Sequence, residues 1–326
     1  MTFKIWCKNL KLAAIVVASF AHGSLFAEQL KSAYDLVVQT ARASKELSYQ
    51  GVFTYEFRGQ LRSVKVLRLV RDGQTYERAM HMDGMGYQVS RRGDDIDCLR
   101  PGHLLLQGAD FKSVSNGLQL NELYNVYIRG NRRIAGRLAY LVEILPKDKL
   151  RYGYVVAIDK ENGLMLQSMI ISQSGKPIER FQYVDISFSP ELDSIQIPEQ
   201  WLSAPPNDAC RASSQSTDDS LSKWQPTWLP PGFVLSNYEA NNSISKETWI
   251  YTDGLATFSV FIDSAEVSKA FPPVQATLGT TVAVLNKVNM NDQHYAITVV
   301  GEIPTLTAQQ IVADIRPRIT ATPVSE

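Results

Sequence analysis

The chain has 326 residues, of which 33 are basic and 33 are acidic, so its formal net charge is zero. A balanced charge gives no indication of a nucleic-acid partner, because proteins that bind nucleic acid usually carry a basic excess or a basic stripe. The length exceeds the ~100–200 residues of a typical domain, which favours two domains.

The amino terminus has the pattern of a cleavable secretory signal peptide. Lys4, Lys8 and Lys11 precede an apolar run at residues 12–21, and small residues follow up to Ala27. The alternative, a membrane anchor, would need about 20 apolar residues, roughly twice what this run supplies. The pattern therefore predicts export, with residues 1–27 removed.

Two cysteines, Cys98 and Cys210, remain after that cleavage. An exported protein with one pair of cysteines can oxidise them to a disulfide, but two unrelated thiols would leave the same pattern. The distance and orientation of the two cysteines decide whether the disulfide forms, and the sequence leaves both possibilities open.

The amino-terminal half, residues 28–202, reads as one helix followed by a long antiparallel sheet. Apolar residues recur at spacings of three and four between Glu28 and Ser44, which predicts an amphipathic helix. Alternating segments separated by Gly, Asn, Asp and Pro turns predict strands at 49–57, 61–71, 75–82, 87–91, 95–99, 137–145, 152–159, 164–172 and 178–188. A twisted sheet of nine or ten strands must curl, so we expect a half-open barrel whose inner face is covered by helices.

The polar stretch 203–222 has the composition of a linker, and residues 223–319 form the second predicted domain. Strands are predicted there at 247–251, 257–263, 280–285 and 294–301. A short helix is predicted after Pro304, with Thr307 and Gln310 at the spacing of a capping box. The fold class is therefore α+β, with an unclosed antiparallel barrel and a small second domain.

The sequence lacks the motifs that usually carry chemistry. His81, His103 and His294 are scattered without metal-ligand spacing, and neither a Gly-x-Ser-x-Gly elbow nor a phosphate-binding loop is present. We therefore predict no catalytic residue, no metal and no cofactor.

Four arginines near predicted strand ends, Arg91, Arg92, Arg132 and Arg133, are candidates for binding a lipid head group. Guanidinium groups bind phosphate well, provided that the curled sheet brings them to one rim. The competing interpretation is a set of ordinary solubilising charges.

Five aromatic residues of the second domain are candidates for partner binding: Trp224, Trp228, Phe233, Tyr251 and Phe258. Rigid aromatic side chains bury a large area at small entropic cost, which suits an interface. The alternative is that they form the core of the small domain.

Several long motifs resemble one family. They are Trp224-Gln-Pro-Thr-Trp-Leu-Pro-Pro-Gly-Phe233, Tyr251-Thr-Asp-Gly-Leu-Ala-Thr-Phe-Ser-Val260, Ile297-Thr-Val-Val-Gly-Glu-Ile-Pro304, Arg133-Ile-Ala-Gly-Arg-Leu-Ala139, and Arg151-Tyr-Gly-Tyr154 followed by Asp159. In this order they resemble the MucB/RseB family of periplasmic regulators of the sigma-E envelope-stress response.

The resemblance implies an amino-terminal domain similar to the carriers LolA and LolB, joined to a small carboxyl-terminal domain. It implies a periplasmic protein that binds the periplasmic region of a membrane anti-sigma factor (MucA/RseA-like) and shields it from the site-1 protease. It further implies release by lipopolysaccharide or another lipid, a tendency to form homo-oligomers, and no catalytic residues. The alternative is a periplasmic carrier or sensor of lipid or lipoprotein that uses the same cavity.

Overall fold

A nine-stranded antiparallel sheet organises the first half of the chain. The computed structural model describes residues 32–57, 59–84, 88–92, 120–197, 218–220, 222–241, 246–264, 274–290 and 293–318. The expected signal peptide, the expected strand at 95–99, both cysteines and most of the expected linker lie outside these residues.

The described helices of this half are α1 (Ala33–Glu46), α2 (Leu120–Leu123) and a 3-10 helix at Pro190–Ser194. The strands are β1 (Tyr49–Phe57), β2 (Gln60–Arg71), β3 (Gln74–His81), β4 (Gln88–Arg92), β5 (Tyr124–Ile134), β6 (Arg137–Pro146), β7 (Gly153–Asp159), β8 (Met165–Ile171) and β9 (Pro177–Ser187). They are ordered β4-β3-β2-β1-β9-β8-β7-β6-β5, so β4 and β5 form the two edges and the sheet does not close. The unclosed antiparallel sheet predicted from the sequence is confirmed.

The sheet is strongly curled. Nη1 of Arg132 in β5 lies 3.5 Å from Oε1 of Gln167 in β8, although β6 and β7 separate these strands. In a flat sheet, three strand spacings would hold the backbones of these two strands about 14 Å apart. Helix α1 buries Leu36 and Val37 in the hydrophobic core of this sheet, as expected for a helix covering one of its faces.

Strand β5 was not predicted from the sequence, and its geometry explains why. The register with β6 shifts between Ile128 and Gly130, so Arg129 is an inserted residue. Gly130 has a φ of 120°, which other residues rarely adopt. A bulge breaks the two-residue alternation on which strand prediction depends.

The second half forms a six-stranded antiparallel sheet and a two-stranded one. Its elements are β10 (Trp224–Pro226), β11 (Val234–Asn241), β12 (Lys246–Thr252), β13 (Thr257–Ser264), β14 (Val274–Leu278), β15 (Thr281–Met290), β16 (Gln293–Gly301), α3 (Thr305–Ala313) and β17 (Ile315–Pro317). The large sheet is ordered β11-β12-β13-β16-β15-β14, and β10 pairs with β17. Helix α3 buries Ile311 in the core of this sheet, together with Trp249 and Val299.

A glycine of the third motif is explained by this packing. Gly301 pairs with Phe258 across β16 and β13. A Cβ at Gly301 would lie 2.4 Å from Cβ of Phe258 and 2.6 Å from the carbonyl oxygen of Thr257. No other residue fits this close approach without moving backbone.

Candidate functional site: the junction between the two sheets

Two of the motifs meet in a buried ion pair where the sheets contact each other. The described residues from Ala33 onward belong to one compact unit. Within it, Arg151, just before β7, and Asp253, in the turn between β12 and β13, both have side chains that are 0% exposed. Nη1 of Arg151 lies 2.5 Å from Oδ2 of Asp253, and Nη2 donates to the carbonyl oxygen of Pro231 at 2.6 Å. One guanidinium therefore binds two segments of the second half of the chain.

Both carboxylate oxygens of Asp253 accept further hydrogen bonds. Its Oδ2 also accepts a 2.8 Å hydrogen bond from the hydroxyl of Tyr124, while Oδ1 accepts the backbone N–H groups of Leu255 and Ala256 at 2.9 and 2.7 Å. Burial and then the charge of Asp253 raise the pKa of Tyr124 well above 10, so this hydroxyl remains a donor. Burial opposes the charge of Arg151, but Asp253 and its other partners raise its pKa overall.

Two further polar contacts join the two halves of the chain. Oε1 of Glu179 in β9 accepts both the backbone N–H of Thr280 at 2.6 Å and its hydroxyl at 2.9 Å. The hydroxyl of Thr307 in α3 donates to the carbonyl oxygen of Leu150 at 3.0 Å. The predicted capping box is therefore wrong. Pro304 is the N-cap of α3 and makes no side-chain capping bond, while Thr307 bonds to the first half of the chain instead.

Apolar contacts complete the junction. Leu255, from the second motif, is buried in the hydrophobic core of the first sheet. Gly232, from the first motif, has a φ of 82°, and a Cβ there would lie 2.5 Å from Cδ1 of Leu123. Residues from three of the motifs thus lie at the contact between the two halves of the chain.

Two carboxyl groups at the junction are buried. Burial, followed by the charge of Glu179, raises the pKa of Glu302 to about 8. Burial also raises the pKa of Glu179, although its bonds from Thr280 act in the opposite direction. Oε2 of Glu179 and the hydroxyl of Tyr154 have no hydrogen-bond partner among the residues that the structure describes.

Four of the five aromatic candidates lie in the core of the second half: Trp224, Phe233, Tyr251 and Phe258. Phe258 contacts the ring of Phe233 at 5.0 Å and stacks on the ring of Tyr251 at 5.2 Å. Trp228 differs, because it is only partly buried at the margin of this core. Of the five, Trp228 alone keeps side-chain surface that a partner could cover.

The four arginine candidates lie on the two edge strands of the first sheet. Arg132 and Arg133 belong to β5, and Arg133 donates to the carbonyl oxygen of Gly136 at 2.6 Å. Arg91 and Arg92 belong to β4, where they are paired with Glu77 and Tyr76 of β3, and their side chains are outside the described part of the chain.

The sequence patterns did not predict the junction itself. Arg151, Asp253 and Glu302 all stand inside the quoted motifs. The available signal was that each of these three motifs contains one charged residue among uncharged ones. Among the described residues, no group of three His, Cys, Asp or Glu side chains could hold a metal ion.

Comparison with known proteins assigns the chain to a family. Residues 32–201 match the model of the MucB/RseB N-terminal domain, and residues 218–316 match that of the MucB/RseB C-terminal domain. The sigma factor AlgU regulatory protein MucB of Pseudomonas aeruginosa is 32% identical over 316 residues, which cover 92% of this chain and 96% of that protein. The sigma-E factor regulatory protein RseB of Escherichia coli K12 is 27% identical over 300 residues, covering 86% and 89%.

Solved structures give the same assignment. The crystal structure of MucB in complex with MucA(peri) has a TM-score of 0.67 and 30% identity, covering 88% of this chain and all of that one. The Pseudomonas aeruginosa MucA/MucB complex has a TM-score of 0.68 at 29% identity, covering 89% of this chain and 100% of that one. The chain belongs to the MucB/RseB family.

Proposed function

We propose that this protein is a periplasmic regulator that binds the periplasmic region of a membrane anti-sigma factor. By covering that region it shields the anti-sigma factor from site-1 proteolysis and so restrains a sigma-E envelope-stress response. The proposal rests on the similarity to MucB, whose structure was solved in complex with the periplasmic part of MucA. This similarity extends over both halves of the chain. Binding is the whole activity in this proposal, and we expect no bond-breaking reaction.

The proposal includes the parts of the chain that the structure does not describe. Residues 1–27 act as a cleaved signal peptide that directs the protein to the periplasm. Residues 28–202 and 223–319 are the two domains, joined by a linker at 203–222. We also propose that the protein forms homo-oligomers.

A protection assay tests the proposed activity. The site-1 protease is incubated with the anti-sigma factor from the same organism, with and without the full mature chain. We expect the chain to slow cleavage increasingly as its concentration rises, up to saturation, because a bound partner is inaccessible to the protease. Unchanged cleavage at saturating chain would contradict the shielding role, and casein cleaved by the same protease controls for direct inhibition.

We predict that Trp228→Ala weakens partner binding about tenfold or more while leaving the melting temperature nearly unchanged. A half-buried tryptophan at the margin of a core is suited to anchor an interface, and such anchors are worth more than about 1 kcal/mol. Calorimetric titration beside circular dichroism measures the two effects. Leu306, which is 79% exposed, provides a matched control as Leu306→Ala. A lower melting temperature without a change in affinity would place Trp228 in the core instead.

Lipid release is the second part of the proposal. The curled sheet has an apolar core, and Arg132 and Arg133 stand on its edge strand with no carboxylate partner among the described residues. We propose that acyl chains enter this sheet while phosphates contact these arginines and those of β4, Arg91 and Arg92. A ligand that prefers the partner-free form then shifts the equilibrium toward release.

We predict that replacing these four arginines by glutamine raises the lipopolysaccharide concentration needed for half-release about tenfold, because the variant loses its charge-assisted phosphate bonds. Competition with a labelled anti-sigma fragment measures this concentration. The matched control replaces four exposed basic residues elsewhere, Arg62, Lys176, Arg180 and Arg316. Half-release at the wild-type concentration in the first variant would remove these arginines from the lipid site.

A further inference from the structure

The edge strand β5 turns part of its backbone toward solvent. It is paired with β6 on one side only, and residues 127–133 are all exposed. The carbonyl oxygen of Leu138 in β6 accepts the backbone N–H of Lys160 at 2.9 Å, so it points away from β5. In an antiparallel pair the opposite residue, Arg133, then turns its own N–H and C=O outward, and Asn131 does the same two positions earlier.

These outward backbone groups have no partner among the described residues. The bond from Arg133 to Gly136 uses the guanidinium and not the backbone. Two N–H donors and two carbonyl acceptors therefore follow each other along the exposed edge of β5. Such a row of unpaired groups is the template on which an extended peptide adds to a sheet as a further strand.

The charges of β5 determine which strand fits this edge. Arg129, Arg132 and Arg133 lie close together, and the strand contains no acidic residue. Arg129 has a carboxylate partner, whereas Arg132 and Arg133 have none among the described residues. Opposite charges that face each other across two strands stabilise the pairing, and like charges destabilise it. The edge therefore favours an acidic strand and disfavours β5 of a second copy.

Both faces of the added strand would meet a cation. Arg132 reaches Gln167, which is 1% exposed, so Arg132 lies on the inner face of the curled sheet, and Arg133 lies on the outer face because side chains alternate. The side-chain nitrogen of Gln167 is buried without a partner among the described residues and offers a further donor near Arg132. A strand with acidic side chains on both faces could satisfy both arginines.

We infer that an acidic, extended segment of the anti-sigma factor's periplasmic region adds to the first sheet as a further strand, paired with β5 at Asn131 and Arg133. The inference rests on the proposed function and names the surface that the partner uses in the first half of the chain.

A lipid phosphate fits the same edge less completely than a peptide does. Phosphate can pair with the guanidinium groups, but as an acceptor it supplies no donor for the two outward carbonyl oxygens of β5. Phosphates bound to Arg132 and Arg133 would nevertheless repel the carboxylates of the acidic segment. Lipid and partner thus oppose each other at β5, which gives the proposed release a direct cause.

Hydrogen exchange of the full mature chain, resolved to single residues, tests the pairing. The ligand is the periplasmic region of the anti-sigma factor from the same organism. The N–H groups of Asn131 and Arg133 should exchange rapidly in the free chain and about tenfold more slowly at saturation, because the added strand bonds them. Equal rates with and without a partner that calorimetry shows to be bound would overturn the inference alone. Absence of any binding would contradict the proposed function as well.

Asn131→Pro removes one outward donor but none of the bonds between β5 and β6, and proline is tolerated on an edge strand. We expect it to weaken partner binding about tenfold, since main-chain bonds supply much of the affinity of an added strand. Gln275→Pro, on the edge strand β14 of the second sheet, is the matched control and should bind like the wild type.

Arg133→Glu tests the charge and needs no change to the backbone. It should also weaken binding about tenfold, and its difference from the wild type should shrink at high salt, because salt screens exposed charges. Lys176→Glu, at an exposed position outside β5, is its control. Wild-type affinity of both Asn131→Pro and Arg133→Glu would overturn the inference.

Discussion

Replacing Arg151 with methionine is expected to lower the free energy of unfolding by about 3–5 kcal/mol. The substitution keeps most of the side-chain volume but leaves Asp253 buried without its cation. It also removes the bond that holds the carbonyl oxygen of Pro231. Urea unfolding followed by circular dichroism measures the loss.

A double-mutant cycle separates the ion pair from the packing. Arg151→Met combined with Asp253→Asn removes both charges while an amide oxygen can still accept the turn N–H groups, so part of the lost stability should return. Arg129→Met is the control for an ion pair that is half exposed, and it should cost less than about 1 kcal/mol. Wild-type stability of Arg151→Met would show that this ion pair does not hold the two halves together.

Trp224→Ala is expected to destabilise the protein by about 3–5 kcal/mol, because the side chain is 1% exposed and its ring packs edge-on against Tyr295 at 5.0 Å. Thermal unfolding measures the effect. The conservative change Trp224→Phe should retain much of the stability, since it keeps an aromatic ring in the site. A variant with an unchanged melting temperature but no partner affinity would instead make Trp224 an interface anchor.

Much of the fold was predictable because it depends on local patterns. Alternating polarity and turn residues located eight of the nine strands of the first sheet, and the expected strand at 49–57 coincides with β1. The number of strands then implied curling, which the contact between Arg132 and Gln167 confirms. The bulge at Gly130 hid β5, because it interrupts the alternation within the strand.

The junction could not be predicted from local patterns. Arg151 and Asp253 are 102 positions apart, and Glu179 and Thr280 are 101 apart. Periodicity identifies which face of a strand is buried but not which distant residue lies opposite. The aromatic residues show the same limit, since Trp224 and Trp228 occupy one motif yet differ in burial.

The most direct test of the central claim is a calorimetric titration of the full mature chain with the periplasmic region of the anti-sigma factor from the same organism. We predict saturable binding that Trp228→Ala weakens and that Leu306→Ala leaves unchanged. Absence of measurable binding by a chain that circular dichroism shows to be folded would contradict the proposed function.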